Sequence, residues 1–259
     1  EWAPRPGVTL TERERSTRRA FDSNRVFRHP VLTLAELPVP KPGDGDVLVR
    51  VRACGVCGSD VHMCERDADG YVAYGDHAKL PVVLGHEWSG EVVEAAPDVR
   101  DLQRGDAVCV EPMNWCGGCE ACRSGMVNQC TNLEEIGFSV DGGLADYATV
   151  KRQYCWKLER LATAYPGVGD LYEAGALVEP CGVAYNAMFV RAGGFLPGGH
   201  VAVFGAGPIG LVAIALARSA GAAGIIALET SPERRELASA MGADVVFDPL
   251  ELAGDAAIA

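Results

Sequence analysis

His200–Ser231 reads HVAVFGAGPIGLVAIALARSAGAAGIIALETS. A β-branched run, VAVF, gives way to glycines and a proline. An apolar stretch of helical length follows, then a second glycine-rich break and another apolar run, IIALE. Val201–Ala217 carries no charge, so a membrane span has to be weighed. The run is slightly short for the roughly 20 residues a span needs, and Gly205, Gly207, Pro208 and Gly210 interrupt it. A strand, a tight turn and a buried helix account for it better. Downstream, SPERRELASAMGADVVFDP adds a second helix and a third strand, with Ser231 as N-cap and Pro232 at the first helical position. The order β-α-β-α-β is half of a doubly wound parallel sheet, so the fold class is α/β.

Gly205, Gly207 and Gly210 have G-x-G-x-x-G spacing. The spacing alone is weak; between a strand and a helix it is a strong sign of dinucleotide binding. The glycines let the backbone approach a pyrophosphate, which the helix N-terminus favours. Glu229 ends the next apolar run. A carboxylate there can bond both adenosine ribose hydroxyls and repel a 2′-phosphate, which favours NAD over NADP. Arg234 with Arg235 would instead suit NADP, so NAD is the preferred expectation.

Upstream the texture is mostly β. Residues 1–30 are arginine-rich and read as an irregular extension wrapping the surface. VLTLAEL and VLVRVRA read as strands; in the second, Val47, Val49 and Val51 alternate with Leu48, Arg50 and Arg52, as on a half-buried strand. Apolar runs at Leu80–Leu84, Trp88–Ala95 and Ala107–Val110 continue the pattern, and YEAGALVEPCGVAYNAMFVRAGG reads as helix. The expected organisation is one domain over 1–185, with a cysteine lobe at 114–132, and a second over 186–259.

Net charge is −12 and no basic stripe appears, which argues against nucleic acid and against anionic membrane surfaces as partners. The opening EWAPRPGVTL lacks the basic start and apolar run of a secretory signal. Ten cysteines cluster at two-residue spacings in a long chain, which suggests metal binding in a reducing cytoplasm rather than disulfides.

Four of those thiols lie in WCGGCEACRSGMVNQC, as Cys116, Cys119, Cys122 and Cys130. Four thiolates around a tetrahedral zinc, roughly 2.3 Å from each sulfur, make a closed site with no place for substrate. An iron–sulfur cluster or four unliganded thiols are the competing pictures. A closed site is structural, so the chemistry has to be elsewhere. CGVCGSDVHM and LGHEWSGE offer Cys57, His86 and Glu87: one thiolate, one imidazole and one carboxylate, ligands suited to a zinc that keeps an open position. Taken alone the grouping is weak, because a solitary Cys or His is usually just packed.

GVCGSDVH, LGHE, the four-cysteine lobe, DGGLADY, LVEP and VAVFGAGPIG occur in the order seen in medium-chain, zinc-dependent alcohol and polyol dehydrogenases. The chain resembles that family from about residue 31 to 259. The resemblance implies a GroES-like β-rich catalytic domain holding both zincs, followed by a Rossmann domain binding NAD(P). Only the first half of the Rossmann sheet is present here, and further strands are expected beyond Ala259. It implies Cys57 and His86 as catalytic zinc ligands, and Glu87 as third ligand or exchanging carboxylate. Glu179 stands where family members have a cysteine ligand or a glutamate close to the metal; Cys181, two residues on, reads as packed. Ser59 and His62 fill proton-relay positions, so that Ser59 takes the alcohol proton and His62 passes it to solvent. Asp60 would orient His86. Arg234 matches a position over the adenine and Ile209 one whose backbone contacts the nucleotide.

CGSDVHM, the insert ERDADGYVAYGDHAKLPVVLGHE, WCGGCEAC and GFSVDGGLADY are similar to the scyllo-inosose and cyclitol dehydrogenase branch. That branch implies a secondary hydroxyl on a polyhydroxylated ring as the reacting group. Sorbitol-type or threonine-type oxidation is the alternative within enzymes. A metal-depleted nucleotide-binding or structural protein is the alternative of another class. Relatives in the family are commonly dimers or tetramers, which implies a homo-oligomer.

Overall fold

A computed structural model describes residues 1–251, in two units: Glu1–Glu179, and a second beginning at Pro180. The sequence suggested a division near 185. No linker marks the boundary, which falls inside a helix running Val178–Tyr185.

In chain order the elements of the first unit begin with α1 (Glu12–Thr17), β1 (Asp46–Gly55), α2 (Gly58–Cys64), β2 (Glu87–Ala95) and β3 (Ala107–Val110). There follow β4 (Met113–Asn114), α3 (Glu120–Arg123), β5 (Glu134–Glu135), β6 (Tyr147–Lys151), β7 (Cys155–Lys157), α4 (Glu159–Ala164) and α5 (Val168–Ala176), with α6 (Val178–Tyr185) across the boundary. Five strands form an antiparallel sheet in the order β6-β1-β2-β3-β7. On β1 the expected alternation holds in part: Val47 and Val49 are fully buried and Arg50 and Arg52 exposed, but Leu48 is buried as well and Val51 only half-buried. Their core includes Trp88 and Val92 of β2, Val108 of β3 and Val150 of β6.

Two expected strands are absent. VLTLAEL has no ladder partner, and Val31, Leu32, Leu34 and Leu37 are exposed. β1 already has β2 on one side and β6 on the other, and Pro38, Pro40 and Pro42 cannot donate to a ladder. Leu80–Leu84 is likewise irregular: its backbone is held by the segment at 141–144, through Val83 N to Asp141 Oδ1 (2.9 Å) and Leu144 N to Leu84 O (2.9 Å).

The first thirty residues are not a loose wrapping. Thr11 and Glu14 cap α1 reciprocally, Glu14 N donating to Thr11 Oγ1 (3.1 Å) and Thr11 N to Glu14 Oε2 (2.8 Å). Ala20, Val26 and Phe27 are buried with Met63, Val72 and Phe138 in a second core. Burial of side chains such as Val26 and Phe27 stabilises by about 1.5–3 kcal/mol each, enough to fix the segment. The local signal for α1 is the capping box TERE, Thr11–Glu14.

The second unit contains β8 (His200–Phe204), α7 (Pro208–Ser219), β9 (Gly224–Leu228), α8 (Pro232–Ala240) and β10 (Val245–Phe247). The strands are parallel in the order β10-β9-β8, the first half of a Rossmann sheet. Ile214 and Ala217 of α7 pack with Ile225, Ala227 and Ala238. Ser231 caps α8 as expected, accepting from Arg234 N at 3.3 Å. Among the described residues, no helix is long and apolar enough to cross a membrane.

Candidate active site and metal centres

β1 ends at Gly55, the chain turns, and Cys57 becomes the N-cap of α2; β2 begins at Glu87, beside the end of β1. The Gly55–Glu87 pairing brings the two segments together, and a Cβ on Gly55 would collide with the Glu87 carboxylate. Donor atoms of Cys57, His86 and Glu87 lie within 4.8 Å of one another. Asp60 binds the arrangement from behind: it accepts from Cys57 N (2.9 Å) and Gly85 N (3.1 Å), and faces His86 Nδ1 at 3.5 Å. That imidazole nitrogen is buried with no closer partner. The other ring nitrogen is left for a metal, the usual division of labour in a ligating histidine.

Burial alone would lower the His86 pKa, but the Asp60 carboxylate and the Cys57 thiol outweigh it and raise it to about 9. Glu179, in the first turn of α6, is not part of the converging donor set. Burial raises its carboxyl to about 7, with His86 opposing and Glu87 adding to the shift. Ser59 and His62 lie one turn apart on α2. Ser59 is half-buried, whereas His62 is exposed with its Nδ1 2.9 Å from Glu65 Oε2. Cys181 is half-buried in α6.

The second donor set is Cys116, Cys119, Cys122 and Cys130, also within 4.8 Å of one another. β4 and β5 pair Met113 with Glu135 and Asn114 with Glu134, closing the base of the loop that carries all four. Backbone N–H groups point at the sulfurs: Cys116 N and Asn132 N each donate to Cys130 Sγ at 3.3 Å. N–H groups of Cys122 and Thr131 pull the Cys119 thiol down to about 6. Burial and the neighbouring Cys119 thiol push Cys122 up to about 12. Four thiols this close cannot all ionise without a cation among them, and soft thiolates select zinc or an iron–sulfur cluster. None of the ten cysteines is in a disulfide.

In the second unit, Gly205 has φ +89°, a conformation a side chain rarely adopts, and a Cβ on Gly210 would collide with the Gly205 carbonyl. Those two glycines serve the turn itself. At Gly207 a Cβ would meet nothing within 4 Å, so protein packing does not require glycine there. Open space at that position suits the approach of a pyrophosphate. A pocket of about 430 Å³ lies over the turn, lined by Gly205, Gly207, Ile209 and Gly210 among others. Glu229 accepts from Ser231 N (2.9 Å) and Ala206 N (2.7 Å), which hold its pKa below the usual range. Arg234 is exposed on the first turn of α8, while Arg235 binds Asp248 at 2.9 Å and two carbonyls of the β9–α8 connection.

Two side chains near His86 went unsuspected in the sequence. The Phe138 ring lies 4.8 Å from the His86 ring, and Tyr74 stacks on Phe138 at 4.6 Å. Nothing in the order of residues joins the insert that carries Tyr74 to the strand exit that carries Phe138.

A GroES-like antiparallel sheet carrying a Cys/His/Glu set and a four-cysteine lobe, followed by the start of a Rossmann sheet, is the layout of a zinc-containing dehydrogenase. Residues 43–160 match the family model described as "Alcohol dehydrogenase GroES-like domain" and residues 208–258 that described as "Zinc-binding dehydrogenase". The chain belongs to the medium-chain zinc alcohol dehydrogenase family. It is 44% identical over 256 residues to the scyllo-inosose 3-dehydrogenase of Thermotoga maritima, covering 96% of this chain and 65% of that one. It is 40% identical over 218 residues to the L-threonine 3-dehydrogenase of Pyrococcus horikoshii, covering 84% of this chain and 58% of that one. A solved structure of a candidate alcohol dehydrogenase from Thermotoga maritima superposes with a TM-score of 0.93 at 43% identity, covering 97% of this chain and 65% of that one. This chain therefore spans a little under two thirds of the length of these relatives.

Proposed function

We propose that the protein is a cytoplasmic, zinc-dependent oxidoreductase that moves a hydride between a secondary hydroxyl of a polyol or cyclitol and NAD. The observation that carries the reading is the convergence of Cys57, His86 and Glu87, with Asp60 behind His86. Those three residues would hold zinc, with Glu179 near enough to influence the site, and the four-cysteine lobe would hold a second, structural ion. Bound at these residues, zinc would supply Lewis acidity and a nicotinamide would supply the hydride acceptor. Ser59 Oγ accepts the hydroxyl proton as it passes its own on toward His62, which is exposed and bonded to Glu65 and releases a proton to water. The turn at Gly205, Gly207 and Gly210, with the backbone of Ile209, holds the pyrophosphate. Arg234 borders the adenine, and Glu229 bonds the ribose and disfavours a 2′-phosphate. A homo-oligomer accompanies this reading.

The likeness to a scyllo-inosose 3-dehydrogenase supports a ring polyol as substrate. The likeness to L-threonine 3-dehydrogenases supports threonine as the second reading. The test is turnover of inositols, inososes, amino-cyclitols, sorbitol and threonine, followed by NADH absorbance with NAD or NADP. Oxidation of threonine alone would replace the ring-polyol reading, and two zincs per chain with no turnover of any of these would remove both.

A further inference from the structure

One polar cluster of the first unit takes no part in the chemistry above. The insert after α2 carries Tyr74, Asp76 and His77, and β5 carries Glu135. Acceptor or donor atoms of Asp76, His77 and Glu135 converge to within 4.8 Å, and Tyr74 OH donates to Glu135 Oε2 at 3.3 Å. Glu135 is only 8% exposed, and among the described residues that long bond is the one made by its carboxylate. The Nδ1 atom of His77 is buried with no partner. Asp76 is exposed and accepts from His77 N at 2.8 Å, but buried polar groups are normally satisfied, so Glu135 and His77 Nδ1 call for a ligand.

Its place in the fold says which ligand. Tyr74 N donates to His62 O at 3.1 Å, which ties the insert to the helix bearing the proton route. The Tyr74 ring lies flat on Phe138, at 7° between planes, and Phe138 in turn touches His86. The cluster and the Cys57/His86/Glu87 set thus flank one aromatic stack, Tyr74 on Phe138. Two chemistries could fill the cluster: a further cation, or hydroxyl groups. Arg19, 4% exposed, acts on both Glu135 and His77, and its Nε and Nη2 atoms are buried without partners. A divalent cation beside a guanidinium is repelled, whereas a hydroxyl group both donates to a carboxylate and accepts from an N–H.

We propose that Tyr74, Asp76, His77 and Glu135 form a specificity subsite that binds hydroxyl groups of a polyol remote from the carbon being oxidised. The subsite rests on the polyol dehydrogenase reading above. Glu135 and Asp76 accept from substrate hydroxyls, and the imidazole of His77 offers a donor and an acceptor. Tyr74 keeps its phenolic proton, because burial and the Glu135 carboxylate both oppose ionisation. An alcohol with a single hydroxyl reaches only the His86 side of the stack and gains nothing from the cluster.

The test compares Glu135→Gln and Tyr74→Phe with wild type in the zinc-loaded full-length protein. Tyr74→Phe removes one oxygen and keeps the stack on Phe138, so it guards against a folding defect in the first variant. The readouts are KM and kcat for myo-inositol and for 2-butanol, myo-inositol binding by calorimetry, and zinc content. The expected result is a rise of about tenfold to a hundredfold in the ratio of myo-inositol KM to 2-butanol KM, the loss typical of one hydrogen bond to a charged group. Calorimetric affinity for myo-inositol should fall in parallel, with zinc at two per chain. An unchanged ratio, including one in which both substrates suffer equally, overturns the subsite while leaving the dehydrogenase reading intact. A third zinc per chain that disappears in His77→Ala overturns it in favour of a cation. A wild-type protein that neither binds nor oxidises any polyol overturns both readings together.

Discussion

Asp60 Oδ1 stands 3.5 Å from His86 Nδ1, with the two side chains 3% and 9% exposed. The same carboxylate accepts from the backbone of Cys57 and of Gly85. One side chain therefore fixes both segments that supply donors, and aims the imidazole that lies between them.

The Asp60→Asn variant should hold zinc at the Cys57/His86/Glu87 set about tenfold to a hundredfold less tightly, the usual cost of losing a partner behind a ligating histidine. Competition with a chromogenic chelator reads this directly, and the four-cysteine lobe supplies the internal control. Equal affinity in both proteins would show that His86 is oriented by something else.

In the metal-free protein His86 titrates at about 9, well above its ordinary 6.5. The folded state therefore keeps His86 protonated at neutral pH, and an entering metal must displace that proton. Zinc affinity at this set should climb by at least about tenfold per pH unit from 6.5 to 9 and flatten in its His86 contribution above that. Zinc titrations across that range, with released protons counted by an indicator dye, would show it. A flat profile would contradict the Asp60–His86 coupling.

Glu179 carries the opposite opportunity. Its folded pKa of about 7 lies above the ordinary 4.5, so between those values the folded state binds the extra proton. That contribution to stability is complete below 4.5 and is lost as pH rises through 7. Replacing Glu179 by Gln should stabilise the metal-free protein at pH 8 by on the order of 1–3 kcal/mol and have little effect at pH 5. Thermal unfolding at the two pH values checks it; equal gains at both would mean the carboxyl is not being held neutral.

The two metal centres should separate by mutation. Cys119→Ser should remove one zinc per chain and lower the melting temperature, because the three remaining thiols then lack the ion that ties the lobe together. Cys57→Ser should also remove one zinc, but abolish turnover while leaving the melting temperature within a few degrees. Metal analysis, calorimetric melting and turnover on both variants decide between this and the reverse assignment.

Within the glycine turn, Gly210→Ala and Gly207→Ala should part company. The first forces a Cβ against the Gly205 carbonyl and should destabilise the second unit by about 2 kcal/mol or more. The second places its Cβ in open space, so melting should be unchanged while NADH affinity falls sharply. A Gly207→Ala protein with normal NADH binding, followed by nucleotide fluorescence, would place the pyrophosphate elsewhere.

The readable parts of the sequence were those in which local rules and tertiary need agree. The spacing of Gly205, Gly207 and Gly210 after VAVF describes a turn whose constraints are mostly its own, and it appears as read. So do β1, with its buried Val47 and Val49, and the α8 cap at Ser231. The four cysteines within one loop needed only a short loop to converge. VLTLAEL failed because an apolar run is a strand only where a neighbour pairs with it, and the prolines that follow at 38, 40 and 42 cannot donate to a ladder. The first thirty residues failed because burial of Val26 and Phe27 depends on Met63, Val72 and Phe138, whose proximity no local pattern announces.

By itself the sequence determined the class of fold, the position of the nucleotide turn, the four-thiol lobe and the identity of the residues able to bind a second metal. Those features are encoded in residues close together along the chain, where backbone geometry and spacing suffice. Only the tertiary structure brings the donor atoms of Glu87 to those of Cys57 and His86, lets Asp60 hold both halves of that set, and makes Tyr74 and Glu135 meet. Such arrangements depend on strand register and on side chains brought together across long stretches of chain, and their energies exist only once the core between them has closed.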